Sequence, residues 1–389
     1  MDFDEIIDRS GTHCNKWDNA QKFYNVPKEG CLPMWVADTD FRAPRNVLDA
    51  MQRMIDHGVF GYGGDQQAYE AAIDWWMTHR HGWPVRPEWI FTTTGLVNAI
   101  GLCLDTYTAP GDGIVIFPPV YHAFSRVIKA AGREVVNAPL VRQGDRYELD
   151  LDAAQAALTG REKMIVFCSP HNPVGRVWTR EELESIAEFA RRNDLILVSD
   201  EIHHDLVFSG HTHIPMARID GILDRLIMLT AISKTFNTAG MHVGNVIIPD
   251  DTLRTAFDKR MKALSLATHT MGMTMVTACY SPEGAAWVDA QVSYLDANRK
   301  LFDAGVNAIP GLKSIPLEGT YLAWVDFADT GMEPTEFIAR VEQGAGIAAN
   351  HGDSFGPGGE TFLRFNLGTQ RVRIEEAVAR LQTAFADLQ

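Results

Sequence analysis

Three apolar runs, each followed by a chemically reactive side chain, most constrain how this chain can fold. The runs cover residues 164–167, 195–198 and 226–229, and they are followed by Asn172, Asp200 and Lys234. Short continuous apolar runs are typical of strands that are buried on both faces of a parallel sheet. Because ligands of open α/β sheets bind beyond the carboxyl ends of the strands, we expect the three polar side chains to share one crevice.

The segment between the first two runs supports a parallel arrangement. Residues 179–182 have the spacing of a capping box, and apolar residues then follow at helical spacing up to residue 190. A right-handed crossover through such a helix makes the two flanking strands parallel. Strand-like and helix-like stretches alternate from about residue 50 to about residue 280, which predicts an α/β fold.

A length of 389 residues favours more than one domain. We predict a large domain over residues 46–285. The pattern then changes to a long helix and separated strand-like stretches at 320–325 and 361–365, which predicts a smaller α+β domain over 286–389. Residues 1–45 are expected to form an N-terminal segment that packs on this small domain.

Composition excludes several classes of function. The net charge of −15 argues against sequence-independent nucleic-acid binding, which depends on Lys and Arg. No run of about 18 apolar residues predicts a membrane span, and the acidic start does not resemble a signal peptide. The cysteine count of 5 is odd and no C-x-x-C pair occurs, so we expect reduced thiols, no cysteine zinc site and a cytoplasmic location.

The amine, the carboxylate and the amide at the three strand ends match the needs of pyridoxal 5'-phosphate. Lys234 can bond to the aldehyde of this cofactor when its amine is unprotonated. Asp200 would keep the pyridine nitrogen protonated, and Asn172 and His203 can donate to the ring oxygen. Taken singly, each residue is also an ordinary polar residue at the end of a strand.

Further residues are candidates for the rest of such a cofactor. Gly95 allows a tight turn into a helix whose first N–H groups can bind a phosphate. The hydroxyls of Thr230 and Ser233 can donate to the same group, and Tyr121 can stack on the ring. Turn, capping and core roles are the structural alternatives for all four residues.

An arginine, a tyrosine and a group of histidines are candidates for substrate, active-site and metal contacts. Arg364 lies in a strand-like stretch, where its guanidinium can bind a substrate carboxylate or form a structural ion pair. Tyr62 lies in a glycine-rich stretch suited either to an active-site contact or to a plain turn. A group of four histidines suggests a zinc site, but its spacing matches no common zinc motif, and we therefore expect no metal: His203, His204, His211 and His213.

Taken together, the motifs resemble those of fold-type I pyridoxal-phosphate enzymes of the aminotransferase class I/II superfamily. The subgroup that the chain resembles more closely is that of the cystathionine β-lyases and cysteine-S-conjugate β-lyases. The resemblance extends over nearly the whole chain and rests on segments 34–38, 169–178, 200–203, 233–237 and 318–321. It implies a large domain with a mostly parallel seven-stranded sheet and a smaller α+β domain.

The resemblance also implies a role for each matching position. Lys234 would carry the cofactor and move protons, helped by Tyr121, while Asp200, Asn172 and His203 would hold the ring. Gly95, Leu96, Thr230 and Ser233 would line the phosphate, and Tyr62 would reach it from the second subunit of a homodimer. Arg364, Asn172 and the backbone near Val36 and Ala37 would bind the amino-acid substrate.

The implied reaction is α,β-elimination of L-cystathionine or a cysteine S-conjugate to pyruvate, ammonia and a thiol. The alternative is transamination between an L-amino acid and a 2-oxo acid. Three departures concern the substrate mouth, the phosphate and the stretch after Arg364. Thr39 stands where relatives carry methionine, His242 stands where they often carry a lysine or arginine, and residues 367–370 differ from the usual run.

Overall fold

The computed structural model of the protein describes residues 1–267 and 269–388. The described residues form two separate sheets of more than two strands, and helices cover them. The strands are β1 (Leu32–Pro33), β2 (Ile90–Thr93), β3 (Gly113–Ile116), β4 (Glu134–Asn137), β5 (Val141–Gln143), β6 (Arg146–Glu148), β7 (Glu162–Cys168), β8 (Ile196–Asp200), β9 (Leu226–Thr230), β10 (Gly244–Ile247), β11 (Lys313–Ser314), β12 (Leu322–Asp326), β13 (Ile347–Ala348), β14 (Asn350–His351) and β15 (Phe362–Asn366).

The α-helices alternate with these strands over most of the chain. They are α1 (Asn15–Asp18), α2 (Ala20–Phe23), α3 (Arg45–His57), α4 (Gln66–His81), α5 (Leu96–Tyr107), α6 (Ala123–Ala130), α7 (Leu151–Ala157), α8 (Arg180–Arg192), α9 (Ile232–Thr235), α10 (Asp251–Ala263), α11 (Thr270–Cys279), α12 (Pro282–Asn307), α13 (Pro334–Ala339) and α14 (Arg371–Ala384). Among the described residues, no helix has the length and apolar character needed to cross a membrane.

The larger sheet has seven strands in the order β2-β10-β9-β8-β7-β3-β4. Strand β10 runs in the direction opposite to the other six strands of this sheet, so the prediction of a mostly parallel seven-stranded sheet is confirmed. The capping box predicted at residues 179–182 begins α8, which connects β7 to β8.

Both faces of this sheet are buried, which explains the continuous apolar runs. In β7, Ile165 and Phe167 belong to one hydrophobic cluster, whereas Met164 and Val166 belong to a second cluster on the other face. Successive side chains of a strand point to opposite faces, so most positions of such a strand are apolar. In β7, β8 and β9 the polar residues accordingly lie near the strand ends.

The smaller sheet is antiparallel and has the order β11-β12-β15-β14. The N-terminal segment reaches this part of the chain, because β1 pairs with β13 and Asn366 at the end of β15 donates to Val36 O. The boundaries predicted at residues 45 and 285 stay a prediction. The contact between the N-terminal segment and β15 matters for function because both border the cavity described next.

Candidate active site

Three adjacent strands bring the predicted reactive groups to one edge of the large sheet. In the ladder of β7, β8 and β9, Cys168 lies opposite Asp200, and Asp200 lies opposite Leu229. Asn172 follows β7, Asp200 ends β8, and Lys234 follows β9 within the short helix α9. The structure shows a single helical turn at Lys234.

A cavity of about 510 Å³ lies at this edge, within the ~300–1,000 Å³ typical of small-molecule sites. It collects predicted residues from both sheets and from the N-terminal segment. The predicted residues that line it are Val36, Ala37, Gly95, Leu96, Tyr121, Asn172, Asp200, His203, Ser233, Lys234 and Arg364.

Two predicted residues lie outside the lining of this cavity. The Thr230 hydroxyl accepts a hydrogen bond from Asn245 Nδ2 at 3.2 Å, on the face of β9 opposite to Leu229. Thr230 does not line the cavity, and its predicted phosphate contact stays a prediction. Tyr62 is fully exposed, at 108%, and borders a different cavity, so its predicted contact with a second subunit stays a prediction.

Lys234 is partly buried, and its amine has few partners. Its Nζ donates to Ala37 O at 2.6 Å. Burial lowers the pKa of Lys234 to about 8, and the charge of Arg364 acts in the same direction, while Asp38 and Asp200 oppose the shift. The amine is therefore unprotonated in a much larger fraction of molecules near neutral pH than an exposed lysine is. This is the state that an imine-forming lysine needs.

Asp200 is a buried carboxyl without a close cation. Burial raises its pKa to about 7, and the backbone N–H of Ile202, 3.2 Å from Oδ1, and the charge of Lys234 offset only part of this effect. A protonated pyridine nitrogen placed against this carboxyl would supply the missing positive partner. The raised pKa thus identifies a carboxyl whose charged form is unfavourable in the empty cavity and would be stabilised by a bound cation.

His203 and Asn172 provide neutral donors beside these two groups. The Nδ1 atom of His203 is buried without a hydrogen-bond partner in the described structure. Burial, together with the charges of Lys234 and Arg364, lowers the pKa of His203 well below its ordinary value, so its ring is neutral. The Oδ1 atom of Asn172 accepts from Arg364 at 3.1 Å, which leaves its amide N–H₂ group to donate to a ligand.

The opposite end of the cavity suits a phosphate. Gly95 has a φ of 91° and begins the twelve-residue helix α5, so the N–H groups of the first helical turn face the cavity beside Leu96. A residue with a side chain would be strained at this φ. Ser233 and His242 line the same cavity and offer a hydroxyl and an imidazole.

Arg364 is a buried cation whose partners are neutral. Its guanidinium donates to Trp35 O at 2.8 Å, to Asn172 Oδ1 and to Asn350 Oδ1, while its Nε has no partner in the described structure. Burial lowers its pKa to about 10. The three acceptors of its hydrogen bonds in the described residues are all uncharged, so this guanidinium can pair with a carboxylate supplied by a ligand.

Several residues of this site were missed by the sequence reasoning. Asn350 contacts Arg364 because it lies opposite that residue in the pairing of β14 with β15. Tyr321 donates to Ala37 O at 3.0 Å, beside the Lys234 amine. His122 and Arg126 line the outer part of the cavity. Tyr321 belongs to motif 318–321, but the sequence assigned it no role. Isolated Asn, His and Arg residues such as Asn350, His122 and Arg126 belong to no motif, so the sequence does not identify them as site residues.

Comparison with known proteins places the chain in a family. Residues 35–381 match the model of the family "Aminotransferase class I and II", and the chain belongs to this family. It is 35% identical to cystathionine beta-lyase PatB of Bacillus subtilis over 99% of this chain and 100% of that protein.

Solved structures are similar over the whole chain as well. Cystalysin of Treponema denticola, which contains a pyridoxal 5'-phosphate cofactor, superposes with a TM-score of 0.94 at 35% identity and covers 100% of this chain and 99% of its own. The pyridoxal-phosphate-bound C–S lyase of Staphylococcus hominis superposes with a TM-score of 0.90 at 28% identity, over 99% and 98% of the two chains. The fold-type I architecture implied by the sequence is thereby confirmed.

Replacing Asp200 by Asn should stabilise the cofactor-free protein at pH 8. The folded state raises the pKa of this carboxyl to about 7, so the wild type loses stability as the pH rises from about 4 to about 7, and the neutral amide does not. We expect a gain on the order of 2–4 kcal/mol at pH 8 and none below about pH 4. Urea unfolding at both pH values measures it.

Added pyridoxal 5'-phosphate provides the control for this prediction. With a ring nitrogen to pair with, the wild-type carboxylate should be stabilised, and the advantage of Asp200→Asn should shrink or reverse. Equal stability of the two cofactor-free proteins at pH 8 would contradict the assignment of Asp200 as an unpaired buried carboxyl.

Proposed function

We propose that this protein is a pyridoxal-phosphate-dependent carbon–sulfur β-lyase. It cleaves L-cystathionine or cysteine S-conjugates to pyruvate, ammonia and a thiol. The observation that carries the proposal is one cavity that holds a partly buried amine, a buried carboxyl and a buried guanidinium, none of them neutralised by a close partner: Lys234, Asp200 and Arg364. The full-length similarity to named C–S lyases supports the choice of reaction.

The residues present fit this cofactor from end to end. The orphaned Nδ1 of His203 and the free amide of Asn172 suit the ring oxygen, and the Asp200 carboxyl suits the ring nitrogen. The N-terminus of α5, with Ser233 and His242, suits the phosphate. When bound, pyridoxal phosphate acts as an electron sink that makes the Cα proton of an amino acid acidic.

Arg364 orients the substrate in this mechanism. Its guanidinium binds the α-carboxylate, and the contacts to Trp35 O and Asn172 hold its fork in place before the substrate arrives. A buried cation gains more from such a pair than an exposed one, because little water screens the interaction. The Cα–H bond is thereby presented to the same amine at every turnover.

Lys234 moves the proton. Its pKa of about 8 allows the free amine to take the Cα proton and its conjugate acid to release it again near neutral pH. Ala37 O holds the amine at 2.6 Å. Lys234 or the hydroxyl of Tyr121 then protonates the departing sulfur, so that the C–S bond breaks to release a thiol. Water completes the conversion to pyruvate and ammonia.

A homodimer and a cytoplasmic location belong to the same proposal. Exposed apolar side chains precede, in the sequence, the tyrosine that is predicted to cross to the neighbouring subunit: Ile55, Val59 and Phe60 before Tyr62. Such a patch is of the kind that a second subunit covers. All five cysteines are unpaired, consistent with a reducing compartment.

The purified protein should release pyruvate from L-cystathionine or an S-substituted cysteine without any added 2-oxo acid. Elimination regenerates the cofactor in its starting form, whereas transamination consumes a 2-oxo acid in each cycle. Coupled detection of pyruvate by lactate dehydrogenase measures this reaction. Lys234→Ala is the matched control and should abolish pyruvate release.

Turnover that depends on a 2-oxo acid would instead identify an aminotransferase, which uses the same amine, carboxyl and guanidinium. A lysine variant that retains full activity would refute the mechanism for either reaction.

Mixing two inactive variants should restore activity if the sites are shared between subunits. Lys234→Ala lacks the amine, and Tyr62→Ala lacks the hydroxyl predicted to reach the neighbouring phosphate. In a hybrid dimer one site receives both intact residues, so activity should reappear after unfolding and refolding the mixture. Each variant refolded alone provides the control, and the absence of any regained activity would contradict the shared site.

A further inference from the structure

A buried polar cluster lies directly behind the cavity and has no part in the mechanism above. Its centre is the carboxylate of Asp205, which is fully buried. Around it lie side chains from segments far apart in the sequence: Trp76 and His81 of α4, His204 of the segment after β8, and Thr235 of α9.

The contacts of Asp205 bridge these segments. Trp76 Nε1 donates to Oδ1 at 3.1 Å, and His81 Nε2 lies 3.0 Å from the same oxygen. The hydroxyl of Thr235 donates to Oδ2 at 2.8 Å, and His204 Nε2 lies 3.2 Å from that oxygen. Both carboxylate oxygens therefore already accept hydrogen bonds. Because of these bonds, Asp205 is better suited to connect the surrounding segments than to bind a metal ion.

The carboxylate stays charged within this cluster. Burial alone would raise the pKa of Asp205, but the adjacent His204 and the hydrogen bond from His81 hold it well below its ordinary value. Burial lowers the pKa of His81 to about 4, so that ring is neutral and can donate through Nε2. A charged acceptor makes the hydrogen bond from Thr235 stronger than a neutral acceptor would.

Thr235 connects this hub to the reactive amine, because it is the next residue after Lys234. Helix α9 has only four residues, and a single helical turn has little stability of its own. Its orientation therefore depends on tertiary contacts. The end of the segment is held by Asn237, whose amide donates to Thr39 O and Phe41 O, and the helix itself is held by the bond to Asp205.

We propose that Asp205 is a positioning residue for the reaction: through Thr235 it fixes the turn that carries Lys234 and so aims the amine at the Cα proton. The same carboxylate contacts His204, the neighbour of His203, and two residues of α4, the helix that follows the loop of Tyr62. Asp205 thus contacts α9, α4 and the segment after β8, and each of these elements carries or adjoins a predicted site residue. The inference rests on the proposed role of Lys234.

Exchange of the Cα proton of L-alanine in D₂O tests this inference. Alanine has no leaving group on Cβ, so the exchange reports proton movement by Lys234 even if the protein turns out not to be a C–S lyase. Proton NMR of the cofactor-loaded protein follows the loss of the signal. The matched pair is Thr235→Val, which removes the hydroxyl at nearly constant shape, and Thr235→Ser, which keeps it.

Thr235→Val should slow exchange at saturating alanine by about tenfold or more, with an unchanged KM, because the amine is misaimed while Arg364 still binds the carboxylate. Thr235→Ser should stay close to the wild type. Thr106→Val removes a hydroxyl that bonds only within α5 and serves as the remote control. Asp205→Asn, the second variant, should slow exchange in the same way as Thr235→Val.

The inference is overturned if Thr235→Val or Asp205→Asn exchanges at the wild-type rate. It is also overturned if Thr235→Ser is as slow as Thr235→Val, because the packing of the residue would then matter and its hydrogen bond would not. If the wild type itself exchanges no Cα proton, the proposed role of Lys234 fails, and this inference fails with it.

Discussion

Burial of charged groups without counterions is the constraint on which the chemistry of this chain depends. Asp200 and Arg364 are buried and Lys234 is partly buried, and in each case burial shifts the pKa toward the neutral form. Such groups cost stability in the empty protein, and a ligand of complementary charge recovers that cost. In the proposed function, the cofactor ring and the substrate carboxylate are these ligands.

Two parts of the fold hold these groups in place, one on each side of the site. Parallel strands β7, β8 and β9 end side by side and deliver residues from the large sheet. The N-terminal segment closes the other side, because its backbone oxygens accept from Arg364 and Asn366 of β15 and from Tyr321. The Lys234 amine is held between these two parts, at Ala37 O.

The sequence predicted the parts of this arrangement that follow from local patterns. Strands buried on both faces need continuous apolar runs, so β7, β8 and β9 and the polar residues at their ends could be found. Local sequence patterns do not predict which way a side chain at a strand end points, nor which residues lie opposite each other in neighbouring strands. Thr230 faces Asn245 instead of the cavity, and Asn350 reaches Arg364 only through the register of β14 with β15. The hub at Asp205 likewise joins residues about 130 and 30 positions away from it, which no local pattern reveals.

Trapping of the cofactor with borohydride tests the central claim most directly. The protein is incubated with pyridoxal 5'-phosphate at a series of pH values, reduced, digested and mapped by mass spectrometry. The account predicts a single modified lysine, Lys234, with an initial rate of attachment that rises as the pH passes through about 8 and then levels off, because only the unprotonated amine reacts. Modification of a different lysine, or attachment at Lys234 that rises only near the ordinary pKa of an exposed lysine, would contradict it.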